Sequence, residues 1–96
     1  MAPVSRIRPP NANLKRMLSR LSNAKRRAYA AAKQVAIETR PGPRNRATEQ
    51  LRKAVSDFRR VYARLPASSR TKNQLDYGRM FILYLNPESR LGRPET

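Results

Sequence analysis

Leu51, Ala54, Val55, Phe58, Val61, Tyr62 and Leu65 follow one another at steps of 3, 1, 3, 3, 1 and 3 residues. That rhythm holds all seven on one side of a 3.6-residue helix for about four turns, whereas a strand, alternating every second residue, would scatter them over both faces. A segment built this way folds as an amphipathic helix and needs a partner for its apolar side. A second stripe precedes it. Met17, Leu21, Ala24, Ala28, Ala31 and Val35 alternate steps of four and three, with Leu14 and Leu18 widening the start. Its later half is almost all alanine, so a neighbouring backbone can approach closely there.

Breakers and caps set the expected boundaries. Pro3, Pro9 and Pro10 predict an extended basic arm over residues 1–12, because proline donates no backbone hydrogen bond and pushes its predecessor out of the helical region. A first helix is predicted over 13–39, capped by Asn11 or Asn13 and ended by Pro41-Gly42-Pro43. The linker RPGPRNR, residues 40–46, reads as an exposed basic turn. A second helix is predicted over 47–65, with Thr48 as cap, Glu49 complementing the dipole and Pro66 as stop. A third helix is predicted over 69–85. The run FILYL at its end has the residue types of a strand, but a lone strand has no partner in this chain. Asn86-Pro87 closes the helical domain, 13–86, and leaves a basic tail over 87–96. The expected fold is all-α: two amphipathic helices as a hairpin plus a third short helix, with extended basic tails at both ends.

Charge decides the class of partner. The 96 residues carry 22 Lys or Arg against 6 Asp or Glu, a formal charge of +16. Residues 1–37 hold nine of the cations and no acid. Such a chain repels itself and is best accommodated beside a polyanion, with nucleic acid the first choice. Apolar residues make up 39%, low for a globular protein, which again favours ordering on a partner. With no cysteine and no histidine, disulfides, thiolate sites and zinc are not expected. The longest apolar run, Met80 to Leu85, is far short of the roughly 20 residues a membrane-spanning helix needs. The scattered carboxylates all have a cation nearby in sequence, and no nucleophile elbow or phosphate-cradling loop occurs. An enzyme is not expected, nor is a cofactor, metal or small-molecule substrate.

The expected nucleic-acid contacts are Arg6 and Arg8 in the arm, Lys15, Arg16, Arg20, Lys25, Arg26, Arg27 and Lys33 along the first helix, and Arg40, Arg44 and Arg46 in the linker. The segment Lys25-Arg26-Arg27-Ala28-Tyr29 is the sharpest of these. Its Tyr29 ring either stacks on an exposed base or packs at the helix boundary. Arg59 and Arg60 are balanced between phosphate contact and pairing with protein acids. The expected protein-packing residues are Leu51, Val55, Phe58, Tyr62, Leu65, Tyr77, Phe81 and Tyr84. A helix-turn-helix reader of duplex DNA fits poorly, because the third helix is the most apolar of the three.

Two resemblances bear on function. In charge, length and tail composition the chain looks like many small ribosomal proteins, which implies rRNA and neighbouring ribosomal proteins as partners within a large hetero-assembly. Separately, Asp57 to Pro66, DFRRVYARLP, is similar to the opening helix of LYR-motif mitochondrial proteins, in which Leu-Tyr-Arg precedes a basic amphipathic stretch and a helix-ending proline. Arg59 matches that motif, Phe58 replaces its Tyr, and Asp57 stands in place of its Leu. This second resemblance implies a small accessory or assembly subunit of a respiratory complex. The arginine-rich, acid-free N-terminal third has the composition of a mitochondrial transit peptide. The leading expectation is thus a non-catalytic structural subunit of a ribonucleoprotein, most simply a ribosome in the mitochondrial matrix, with the cytoplasm as the alternative location.

Overall fold

The computed structural model describes residues 10–87. The chain is all-α over these residues, with four helices: α1 (Pro10–Ile37), α2 (Pro41–Arg64), α3 (Ala67–Lys72) and α4 (Gln74–Leu85). No strand occurs among the described residues, and the FILYL run is helical.

The junction between α1 and α2 departs from the expected linker. Arg40 is extended (φ −79°, ψ 132°), as a residue before proline should be, and this stops α1 at Ile37, two residues earlier than predicted. Pro41 then serves as the first residue of α2 instead of a breaker. The first turn of a helix has no partners for its N–H groups, so Pro41 and Pro43 forfeit nothing there, and their fixed φ suits the helix. The first helical bond follows at once, from Arg44 N–H to the Arg40 carbonyl at 3.0 Å. Residues 41–46 are therefore helical, and the connection shrinks to Glu38, Thr39 and Arg40. Thr48 lies inside α2, where its hydroxyl donates to the Arg44 carbonyl at 2.9 Å instead of capping. Residues 10–12, expected in the arm, are helical and place Asn11 and Asn13 inside α1 instead of at its cap; the rest of the expected arm, with Arg6 and Arg8, lies outside the described residues, as does the expected tail from 88 onward.

Leu65 leaves α2 extended ahead of Pro66, which caps α3. The predicted third helix is divided at Asn73 (φ −106°, ψ 11°). The Asn73 side-chain amide donates to the Ser69 carbonyl at 2.8 Å, a local bond of the kind by which asparagine competes with helix continuation. Two further bonds tie α3 to the end of α2: the Tyr62 hydroxyl donates to the Arg70 carbonyl at 3.0 Å, and Arg70 donates to the Leu65 carbonyl at 3.0 Å.

α1 and α2 run antiparallel, with Met17 beside Val61, Arg27 beside Asp57 and Gln34 beside Gln50. Along their seam Leu21, Ala24, Ala28, Ala31 and Ala32 meet Leu51, Ala54, Val55 and Phe58, all buried. α4 completes the core with Met80 and Leu83. It lies parallel to α1 and antiparallel to α2, as shown by Lys25 against Asp76, Tyr62 stacked on Tyr77 with ring centroids 4.3 Å apart, and Arg59 over Phe81. Leu51, Val55, Phe58 and Leu65 are buried within the chain's own fold, so the stripe that opened the sequence is satisfied internally.

Burial separates the aromatic residues by consequence. Phe58→Ala is expected to cost about 3–5 kcal/mol in urea unfolding, and Ala28→Leu, which forces the close seam apart, about 1–3 kcal/mol. Phe81→Ser, on a ring that is 43% exposed, is expected to stay below about 1 kcal/mol; equal losses at positions 58 and 81 would contradict this packing.

Candidate nucleic-acid interface

Helical spacing places two lines of polar side chains along one open flank of the α1–α2 seam. From α1 come Arg20, Asn23 and Arg27; from α2 come Asp57, Arg60 and Arg64, again at steps of three and four. They face one another across a floor of Met17 and Val61 in a cleft of about 410 Å³. Gln34 of α1 and Gln50 and Lys53 of α2 carry the same two lines further along the seam, into a second cleft that shares Arg27. One more step of four residues in each helix adds Arg16 and Arg46, both exposed. α4 packs on the opposite flank, against Lys25 and Tyr62, and so leaves this groove uncovered by any described element.

The electrostatics of the groove follow from where the acids went. All four carboxylates of the described residues already hold a cation: Glu38 with Arg40, Glu49 with Arg52, Asp57 with Arg27 and Arg60, and Asp76 with Lys25 and Arg79. Asp57 is the single acid in the groove. It accepts from Arg27 at 3.2 Å across the seam and lies 3.9 Å from Arg60 on its own helix, holding two guanidinium groups side by side at mid-groove. Pairs this exposed contribute little stability; their effect is positional. Arg20, Lys53 and Arg64 have no described carboxylate within ion-pair distance and project positive charge into the groove uncompensated.

The cluster read as Lys25-Arg26-Arg27-Tyr29 does not form one patch. Arg27 joins the groove, while Arg26 is exposed and hydrogen-bonds the Asn23 side chain. Lys25 turns the other way and donates to Asp76 of α4 at 3.1 Å. Tyr29 packs against the core with its hydroxyl buried, so its ring is not presented for base stacking. Burial pushes the Tyr29 phenol pKa up, Asp76 adds to the rise and Arg79 opposes it. Lys15 and Lys33 are exposed on the outer side of α1, away from the groove, and Arg44 is exposed near the start of α2.

Two cations of the groove, Lys53 and Arg64, escape a reading based on dense runs of charge, and Arg60, balanced between phosphate contact and pairing with protein acids, lies in the groove 3.9 Å from Asp57. Their signal is the spacing of Gln50, Lys53, Asp57, Arg60 and Arg64, a polar line flanking the apolar stripe at the same helical period. Among the expected packing residues, Tyr62 and Tyr77 are half-buried against each other, whereas Phe81 and Tyr84 are exposed. Among the described residues no three His, Cys, Asp or Glu side chains gather as a metal site would require, and no helix is long and apolar enough to cross a membrane.

The chain matches no protein-family model, no curated protein and no solved structure. The DFRRVYARLP segment forms the end of α2, behind the 28-residue α1, with Phe58 in the core and Arg59 over the Phe81 ring at 5.8 Å.

The turn between α1 and α2 offers a pH-dependent test. Arg40 grips Glu38 through its backbone N–H at 3.1 Å and through two guanidinium nitrogens at 3.0 and 3.1 Å, and these bonds lower the Glu38 pKa to about 2. A depressed carboxylate stabilises the fold above its unfolded value, and that contribution is lost as pH falls through the folded value. The Glu38 side-chain carbon resonance is expected to titrate near 2, and in Arg40→Ala to return toward the ordinary glutamate range; an unshifted midpoint in the unmutated chain would contradict the clamp.

Proposed function

We propose that this chain is a non-catalytic RNA-binding subunit of a ribonucleoprotein, and that the α1–α2 groove seats a sugar–phosphate backbone. The observation that supports this reading most strongly is the pairing of two cation lines on one uncovered flank with Asp57 as their only acid. Lys53 to Arg64 spans eleven residues of helix, or about 16 Å at 1.5 Å per residue, long enough to run beside successive phosphates of one strand. Arginine fits this task because its planar fork meets phosphate oxygens in pairs. Asn23, Gln34 and Gln50 add side-chain amides that can bond 2′-hydroxyls, the group that separates RNA from DNA. With no base-reading helix in a major groove, recognition follows backbone shape and charge, as suits a scaffold subunit of a ribosome. The arginine-rich, acid-free N-terminal composition favours a mitochondrial one.

A second reading, a small accessory or assembly subunit of a mitochondrial respiratory complex, draws on the exposed Phe81, Tyr84 and Leu85 of α4. In that reading the basic surface would face anionic headgroups and groove substitutions would matter little.

Titration of the folded chain into a fluorescent single-stranded RNA at rising salt separates the two. With Arg20, Arg27, Lys53, Arg60 and Arg64 engaged, the slope of log K against log salt is expected near −3.5, an affinity loss of about a hundredfold between 50 and 200 mM. Arg20→Glu with Arg64→Glu is expected to flatten that slope by about 1 to 2 and weaken binding at 50 mM at least about tenfold. Lys15→Glu with Lys33→Glu, the same charge change on the outer side of α1, is expected to do much less. Equal losses from the two pairs would show that net charge, not the groove, governs binding.

A further inference from the structure

Among the described residues, exposed cations lie along α1 and α2 and at the end of α3, but none lies on α4, whose Arg79 is half-buried. The outward half of that helix, from Leu75 through Gly78, Phe81, Tyr84 and Leu85, carries no charged side chain. Its apolar residues are large and open to solvent: Leu75 is 68% exposed, Phe81 43%, Tyr84 45% and Leu85 69%. The one acid of α4, Asp76, faces inward to Lys25 and Arg79. A monomer does not ordinarily display so much apolar side chain on one short element.

Gly78 lies at the middle of this face. A glycine inside a helix is unfavourable relative to alanine, and no backbone need explains it, since no described glycine has a positive φ. A Cβ placed at Gly78 would meet nothing within 4 Å, so the chain's own packing does not require the missing side chain either. Its effect is external: the open space at Gly78, between Leu75 and Phe81 along the helix, lets another backbone come close there.

The rim of the face tells what approaches. Arg59 reaches over the Phe81 ring from α2, and Lys72 is exposed just before α4. Neither has a carboxylate among the ion pairs of the described residues. A partner that covers the apolar face must therefore bring negative charge to its edges. A second copy of this chain is disfavoured by its own +16 charge.

We propose that the outward face of α4 docks an amphipathic helix of a neighbouring protein, apolar on its contact side and acidic at its borders, with its backbone crossing at Gly78. This mode of recognition reads a helix by anchors at steps of three and four. The surface is separate from the α1–α2 groove, so a nucleic acid and an acidic protein can be held at once on opposite flanks. The inference stands apart from the RNA reading.

The test uses the full folded chain and a synthetic amphipathic helix of leucine and glutamate, with a leucine–glutamine version, a leucine–lysine version and phosphatidylserine vesicles as comparisons, followed by fluorescence anisotropy and sedimentation. The acidic helix is expected to bind the unmodified chain and the Arg20→Glu, Arg64→Glu groove variant to within about threefold of each other. Phe81→Ser with Leu85→Ser is expected to weaken binding at least about tenfold with unchanged circular dichroism. Gly78→Gln separates docking from folding. A side chain fits there and improves helix propensity, so the melting temperature is expected to rise while affinity for the acidic helix falls about tenfold. Loss of binding in the groove variant, no loss in the α4 variants, equal affinity for the glutamine or lysine helices, preferential uptake by vesicles, or self-association of the chain through α4 would each overturn the proposal.

Discussion

The close approach of α1 to α2 along an alanine-lined seam is the constraint on which the remaining architecture rests. Ala24, Ala28, Ala31 and Ala32 on one side and Ala47 and Ala54 on the other are all buried, so the two backbones draw together where bulkier residues would hold them apart. Residues that flank such a seam at helical spacing cannot spread out over the surface. They are drawn up facing each other, which is how Arg20, Arg27, Arg60 and Arg64 come to line one cleft. The groove is thus a by-product of packing small residues, and its charge is a by-product of which side of the seam α4 covers.

A chain this basic must also keep its helices together against their mutual repulsion. The buried apolar seam does most of that, and the acids of the helix interfaces set which cations face each other. Asp57 joins α2 to α1 through Arg27, and Asp76 joins α4 to α1 through Lys25, while Glu38 and Arg40 lock the short turn between α1 and α2. Each carboxylate spent on an internal contact leaves the outer cations uncompensated. Three of the four described carboxylates sit where helices meet or turn, Glu49 with Arg52 on α2 being the exception, and the open flank stays positive.

The apolar stripes were readable from the sequence because helical periodicity and burial are the same fact seen twice; Leu51, Val55 and Phe58 are core for the reason they are spaced as they are. The start of α2 was not, because Pro41 and Pro43 carry opposite meanings inside a helix and at its first turn, and only the extended Arg40 before them settles which applies. The break at Asn73 depends on a side-chain bond back to Ser69, a local competition that residue type alone does not decide. For the basic surface, adjacency in sequence was the wrong guide. Lys25, Arg26 and Arg27 are consecutive yet point to different neighbours, whereas Lys53, Arg60 and Arg64, spread over half of α2, share one line. Of the two roles open to Tyr29, stacking on a base or packing at the helix boundary, the helix turns it to the core.

The proposal that RNA holds this chain in a ribonucleoprotein is tested most directly by sedimentation of a cell or organelle lysate with and without RNase, following this chain by antibody. Co-migration with a ribosome-sized particle, and a shift to light fractions after RNase, is the expected result. Unchanged migration after RNase, in step with markers of a membrane complex, would contradict it.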